Sequence, residues 1–349
     1  MTDQATPQKS PRVSRRTLLR LGLLGGIVAS GAIIYDRTKE VGVANWFKWM
    51  LRGQTTRFAP ASRVALVSVP SYDDDLLRAI HSLWQNANAP DLQGANVVVK
   101  PNIVEFVPDR PCFTNPHVVR ALIQYLRDTV QVKSVVIAEG MTFRRDPQAT
   151  LIQTGYRDLL DSQHIDFVDL NYDDLVLIPL RGGYAKLDKL FMARTVVQAD
   201  ALISVPKLKT HHWTQISGSI KNLFGIVPGI KYGFPKNTLH IQGIDAFLAE
   251  LLDSLPTPKR FALVDGIVGL QGDGPLFGTS VASGALIGGS DFLAVDATSA
   301  RLMGFDPATI AYLSFIAWAG LGQLDPNKIE LRGASLNSLM RSYEPAPKI

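Results

Sequence analysis

From residue 61 onward the chain alternates short apolar runs with amphipathic segments. RVALVSV (63–69) reads as a β-branched strand, and SYDDDLLRAIHSLWQNA (71–87) as a helix whose acidic residues gather at its favourable N-terminal end. ANVVVKPN (95–102) and KSVVIAEG (133–140) are continuous apolar runs, the pattern of parallel strands covered on both faces. Between them lies NPHVVRALIQYLRD, with Asn115 placed to cap a helix and Pro116 at its first position. A helix around 147–160 and the strand IDFVDL (165–170) follow. Such alternation predicts right-handed βαβ units.

The middle departs from this rhythm. LVLIPL, RGGY and KLFMARTVV (175–197) read as a small antiparallel insertion. ADALISVPK (199–207) resumes the buried strand type and runs into LKTHHW, an unusual concentration of charge in a chain with 19% charged residues. SGSIKNLFG is a short helix stopped by Gly225. The following VPGIKYGFPKNT (227–238) is long for a loop in a compact domain, and such loops are usually functional or mobile. IQGIDAFLAELLDSL reads as an amphipathic helix, FALVDGIVGL and GALIGGS as strands around the Gly-rich turn GDGPLFGTS, and FLAVDATSARLMG as a helix. The expected fold is α/β: a mostly parallel sheet flanked by helices, with a small antiparallel insertion in the middle, in one domain over 61–340.

Charge separates the N-terminus from this body. Residues 1–60 hold ten Lys/Arg against three Asp/Glu, leaving 26 against 28 in the remainder, although the whole chain is +5. The body therefore has no general basic field, and a nucleic-acid partner is not expected. Residues 1–35 contain SRRTLLR followed by LGLLGGIVASGAIIY, which resembles a twin-arginine export signal. The resemblance implies the twin-arginine export machinery as a partner and an extracytoplasmic location. The apolar run is shorter than the ~20 residues of a spanning helix, and both cleavage and retention as an anchor remain open. Residues 36–60 form a linker in which VGVANWFKWML suits either a membrane surface or packing on the body.

Several chemistries are disfavoured. No G-x-G-x-x-G follows a strand, and there is no P-loop, G-x-S-x-G elbow or H-E-x-x-H. Cys112 is the single cysteine, so no cysteine-ligated iron–sulfur cluster is expected within the chain; its ordinary reading is a small buried hydrophobe. No cofactor is identified.

Polar residues cluster instead at the C-terminal ends of apolar strands, where open α/β sheets bind ligands. These ends carry Lys100 and Asn102, Glu139, the run SVPKLKTHH, and Asp265. In extended chain, Lys207, Lys209 and His211 share one face and could hold a carboxylate or phosphate. Lys221 and Asn222 come just after a turn and could add donors. Thr114 offers a hydrogen bond or belongs to the helix entry. Gly272 and Gly274 either let backbone approach a ligand or shape a hairpin turn.

Together VVVKPNIV, TNPHVVRALI, ADALISVPKLKTH, IKNLFGIVPG, FALVDGIVGLQGDGP and FLAVDATSARLMGFDP resemble, in order, the bacterial and archaeal family called domain of unknown function 362. The resemblance runs from about residue 63 to 323. Many members carry added Cys-rich, ferredoxin-type segments, which this chain lacks, so the redox label does not transfer.

The expected function is a cleft for a small anionic ligand or cofactor. Lys100, Lys207, Lys209 and Lys221 would hold the anion, while His211 with Glu139 or Asp265 would move protons or bind a divalent metal. His212 would pack on Trp213. His117 is a surface or ligand-facing imidazole. Asp296 would face the site or meet Arg301. Whether the cleft catalyses a reaction is left open. The rivals are a redox accessory to an iron–sulfur protein and a non-enzymatic membrane-surface binder.

Overall fold

The computed structural model describes residues 59–142, 145–185, 187–233, 239–240 and 243–347. The signal-like segment, nearly all of the linker, and residues 234–238 of the long loop lie outside this set.

The parallel part of the sheet is built from β2 (Asn96–Pro101), β3 (Ser134–Glu139), β4 (Phe167–Asp169), β7 (Ala201–Val205) and β10 (Lys259–Gln271), in the order β10-β7-β2-β3-β4. Every neighbouring pair along that order is parallel. The far side is mixed. β10 pairs antiparallel with β11 (Thr279–Gly289), and β11 antiparallel with β1 (Ser62–Ser68). β1 then pairs parallel with β12 (Ile329–Gly333). The sheet is thus α/β and mostly parallel on one side. The antiparallel β10–β11 pairing arises because the Gly-rich turn is a hairpin, with no crossover helix to reverse direction. The middle insertion forms its own antiparallel pair, β5 (Leu175–Pro179) with β6 (Lys189–Ala193).

Strand alternation places the core on both faces. Val97 and Val99 of β2 point into one apolar cluster and Val98 into the other. The first cluster is closed by α1 (Leu76–Asn86), α2 (Pro116–Tyr125) and α4 (Tyr156–Gln163). Helix α1 buries Leu76, Ala79, Ile80, Leu83 and Trp84, a 3.6-residue stripe, and Asp75 caps it by accepting from the Arg78 N–H. Asn115 and Pro116 open α2 as the sequence leads one to expect. The helix expected around 147–160 is two, α3 (Pro147–Gln153) and α4, parted where Gly155 adopts φ 76°.

The second cluster is closed by α5 (Ser219–Asn222), α6 (Ile244–Ser254), α7 (Phe292–Leu302) and α8 (Ala311–Trp318). Helix α6 differs from the amphipathic expectation, because eight of its 11 residues are buried, Ala246 to Leu252 without a break. Its polar Glu250 is covered by the insertion: the carboxylate accepts from the backbone N–H groups of Gly182, Tyr184 and Ala185, and from Ser254 Oγ. A buried carboxylate so surrounded by donors is satisfied without a cation.

The largest local correction concerns SVPKLKTHHW. Lys207–His211 is not the polar end of the preceding strand. It is a separate strand, β8, buried at every position, pairing with β10 and with β9 (Gln215–Ser217). Leu208 enters the second apolar cluster, while Lys207, Lys209 and His211 project together to the other side.

Candidate functional site

Helix α2, which follows β2, packs on one face of the sheet, whereas α5, which follows β7 to β9, packs on the other. The divergence opens a crevice at the carboxyl ends of β2 and β7, the topological switch point of an open α/β sheet. A cleft of about 280 Å³ lies there. Of the residues singled out in the sequence, it gathers Lys100, Asn102, Glu139, Lys209, His211, Lys221 and Asn222.

Its floor is a buried ion pair. Lys100 Nζ lies 2.7 Å from Glu139 Oε1 and donates to Asn222 Oδ1 at 3.1 Å. Glu139 also accepts from the backbone N–H groups of Ile103 and Gly140. Asn222 donates to Lys100 O and Ser204 Oγ. Burial pulls the Lys100 ammonium below its ordinary pKa, and the Glu139 charge opposes that pull. Gly225 closes the floor. A Cβ there would collide with the Glu139 carboxylate and sit 2.6 Å from Lys100 Nζ. One acceptor is left over: Asn102 Oδ1 is buried without a hydrogen-bond partner, while Asn102 Nδ2 donates to Asn222 Oδ1 at 3.3 Å.

Helix α5 is held in place by Asp296 on α7. Its carboxylate accepts from Ser219 N (2.6 Å), Ser219 Oγ (2.7 Å), Ile220 N (3.1 Å) and Tyr312 OH (3.2 Å). Burial raises its pKa to about 6, with these donors pulling the other way. Asp296 therefore neither lines the cleft nor meets Arg301, which donates to Leu324 O. It positions the helix that carries Lys221 and Asn222.

Three lysines, Lys100, Lys207 and Lys209, are each only 1% exposed. Two of them are answered by carboxylates. Lys207 Nζ lies 2.9 Å from Asp265 Oδ2 and 2.6 Å from Tyr72 OH, and Tyr72 donates to Asp265 Oδ1. Asn115 N–H also donates to Asp265. This triad lies behind the cleft wall, so the structure does not bring Lys207 or Asp265 to the cleft. Burial lowers the Lys207 pKa against the pull of Asp265, and burial pushes the Tyr72 hydroxyl far above its ordinary value.

Lys209 is different. Its Nζ donates to Cys112 O at 2.5 Å, and no carboxylate among the described residues pairs with it. Burial lowers its pKa to about 8, and the neighbouring Lys207 and Lys100 push the same way. Cys112 is buried, and burial raises its thiol pKa. His211 accepts the Trp213 N–H on Nδ1 at 3.1 Å, so its neutral ring carries the proton on Nε2. Burial, with help from the Lys221 charge, depresses its pKa well below the ordinary value.

The cleft wall is aromatic. His212 meets Trp213 edge-on at 4.8 Å, and His240 sits 4.2 Å from Trp213 and 4.3 Å from Phe224. Lys221 lies over the Phe224 ring. Thr114 stands outside the cleft and ties the chain together, accepting from Asn102 N and donating to Val205 O. Gly272 and Gly274 shape the β10–β11 turn. Gly272 has φ 72°, and a Cβ on Gly274 would collide with Thr210 O. The turn brings Pro275 and Leu276 to the cleft and Gly274 O to His212 Nδ1 at 3.1 Å. His117 is exposed at the start of α2. Among the described residues no three His, Cys, Asp or Glu side chains are grouped to hold a metal ion.

The sequence reading did not single out His240, Phe224, Glu105 and Thr142 as lining the cleft, or Tyr72 behind it. The length of the loop before His240 was a usable signal. Tyr72 gave none, because its partners lie 135 and 193 positions away.

Among solved structures, the lactate racemase apoprotein of Thermoanaerobacterium thermosaccharolyticum is 17% identical with a TM-score of 0.40. The match covers 74% of this chain and 57% of that one. A Thermotoga maritima protein is 11% identical with a TM-score of 0.36, covering 60% and 54%. The chain thus spans little more than half the length of either. The thylakoid-associated protein sll1697 of Synechocystis sp. is 31% identical over 256 residues, covering 68% of this chain and 71% of that protein. The family described as domain of unknown function (DUF362) matches residues 97–301, a span that holds every cleft residue named above, its lysines included; the chain belongs to that family.

Proposed function

We propose that the cleft binds a small anion, and that Lys209 is its principal charge partner. The observation that carries this reading is the contrast among three buried lysines. Lys100 and Lys207 each face a carboxylate at 2.7 and 2.9 Å, whereas Lys209 is equally buried, lines the cleft and has no such partner among the described residues. A buried ammonium without a counter-ion is costly, and an arriving anion offsets that cost. Lys221 adds charge at the same cleft, and His211 offers its Nε2–H as a donor. The Lys100–Glu139–Asn222 floor holds these groups in place.

The test is thermal unfolding with and without inorganic phosphate and acetate, on wild type and Lys209→Met. Saturation near 100 times Kd should stabilise wild type by about 2.7 kcal/mol. The variant should lose most of that shift. Equal shifts in both proteins would refute the assignment of Lys209.

A second, compatible reading concerns location. The relative sll1697 is described as thylakoid-associated. With the SRRTLLR signal-like segment and the aromatic VGVANWFKWML stretch, this supports export and attachment at a membrane surface. Fractionation of cells expressing the full chain and an Arg15→Lys, Arg16→Lys variant tests it. Identical distribution of the two between soluble cytoplasm and membrane would count against the reading.

A further inference from the structure

Lys209 has two faces, chemically speaking. Protonated, it is an anion partner; deprotonated, it is a nucleophile. Its surroundings favour the second role to an extent that Lys100 and Lys207 do not share. Each of those has a carboxylate within 2.9 Å whose charge opposes the loss of its proton. Lys209 instead meets the carbonyl of Cys112; burial pulls its pKa down, Lys207 and Lys100 add to that pull, and Cys112 and Glu139 oppose it. An amine that is desolvated and placed beside other cations is the arrangement that activates lysine for attack on carbonyl carbon. It also opens onto a cleft large enough for a molecule of a few carbons.

We infer that Lys209 forms an imine with a small carbonyl compound that also carries an anionic group, such as a 2-oxo acid. The inference rests on the anion-binding reading of the same cleft. Lys221 would hold the anionic group, and His211 Nε2–H would bond to the carbonyl oxygen. In the reaction the ammonium sheds one proton and the nitrogen lone pair attacks the carbonyl carbon. The C–N bond forms while the C=O π electrons pass to oxygen, and a second nitrogen-bound proton moves to that oxygen. The C–O bond then breaks, the oxygen leaving as water with those two protons. The nitrogen lone pair closes the C=N bond, leaving one proton on an iminium. Charge is unchanged overall, and no oxidant or reductant takes part.

The depressed Lys209 pKa of about 8 agrees with this role. At pH 8 about half of its side chains are free amine, against under about 1% of an ordinary lysine with pKa near 10.4.

The experiment incubates the full chain with pyruvate at pH 7.5 to 8, reduces with cyanoborohydride and maps the modified peptides by mass. A carboxyethyl adduct on Lys209 is expected at least about ten times faster than on any other lysine. Excess acetate should slow it, and Lys209→Arg should abolish it while leaving the circular dichroism spectrum intact. Wild-type mapping decides the matter even if that variant fails to fold. An adduct spread evenly over lysines, or none on Lys209, overturns the imine. Phosphate-induced thermal stabilisation, measured in parallel on wild type, separates the two ideas. Stabilisation without an adduct leaves the anion site standing and removes the imine; absence of both removes both.

Discussion

At the scale of single residues, the three buried lysines look alike in sequence and differ in what answers their charge. Removing Lys207 strands the Asp265 carboxylate in the interior, where an unpaired charge is expensive. Lys207→Met should therefore destabilise the protein by about 3–5 kcal/mol in urea unfolding. Lys209→Met strands no carboxylate and removes an uncompensated ammonium. It should leave stability within about 1 kcal/mol of wild type, or above it. If the two variants lose stability equally, the contrast drawn between these lysines is wrong. Gly225→Ala makes a related point, because its methyl would press on the Lys100–Glu139 pair. It should weaken phosphate binding even though it adds no charge and removes none.

At the scale of elements, the site depends on a helix of four residues, too short to hold itself. Asp296 supplies what α5 lacks by accepting two of its backbone N–H groups and the Ser219 hydroxyl. Asp296→Ala would leave those donors buried and unmatched, costing roughly 2–4 kcal/mol. Hydrogen exchange should show faster opening at Ser219 and Ile220 than in α1, which lies on the opposite face. Uniform protection across both helices would contradict this. The same logic governs the insertion. Glu250 is acidic on an otherwise apolar helix because the loop before β6 delivers three N–H groups to it.

For the whole molecule, two buried groups act in opposite directions on pH. Asp296 has a folded pKa near 6, above its ordinary value, so its contribution favours folding at low pH and is lost as pH rises through 6. Lys209 has a folded pKa near 8, below its ordinary value. Its contribution favours folding above about pH 10 and is lost as pH falls through 8. Between pH 6 and 8 both groups are mainly charged, and the protein bears both penalties. Urea unfolding of wild type and Lys209→Met at pH 7 and pH 10 tests the second term. The variant should gain on wild type at pH 7 and the gap should narrow at pH 10. Anion binding should weaken over the same upward range, as Lys209 loses its charge.

Hydrophobic pattern alone specified most of the elements, because burial on both faces of β2, β3 and β7 demands unbroken apolar runs that no loop would carry. Caps were legible too, since Asn115 and Pro116 act on their own local backbone. The family, and the nomination of strand-end polar residues, also came from linear sequence. Three things needed the tertiary structure. The first was the antiparallel path of β10, β11 and β1, since a strand's direction is not written in its residues. The second was that Lys207–His211 forms a buried strand inside the sheet. The third was which lysine meets which carboxylate. Lys100 finds Glu139 across 39 positions and Lys207 finds Asp265 across 58, while Lys209 finds neither. Sequence fixes which side chains carry charge; only the packing of distant strands decides whether a charge is cancelled in the interior or left for a ligand to meet.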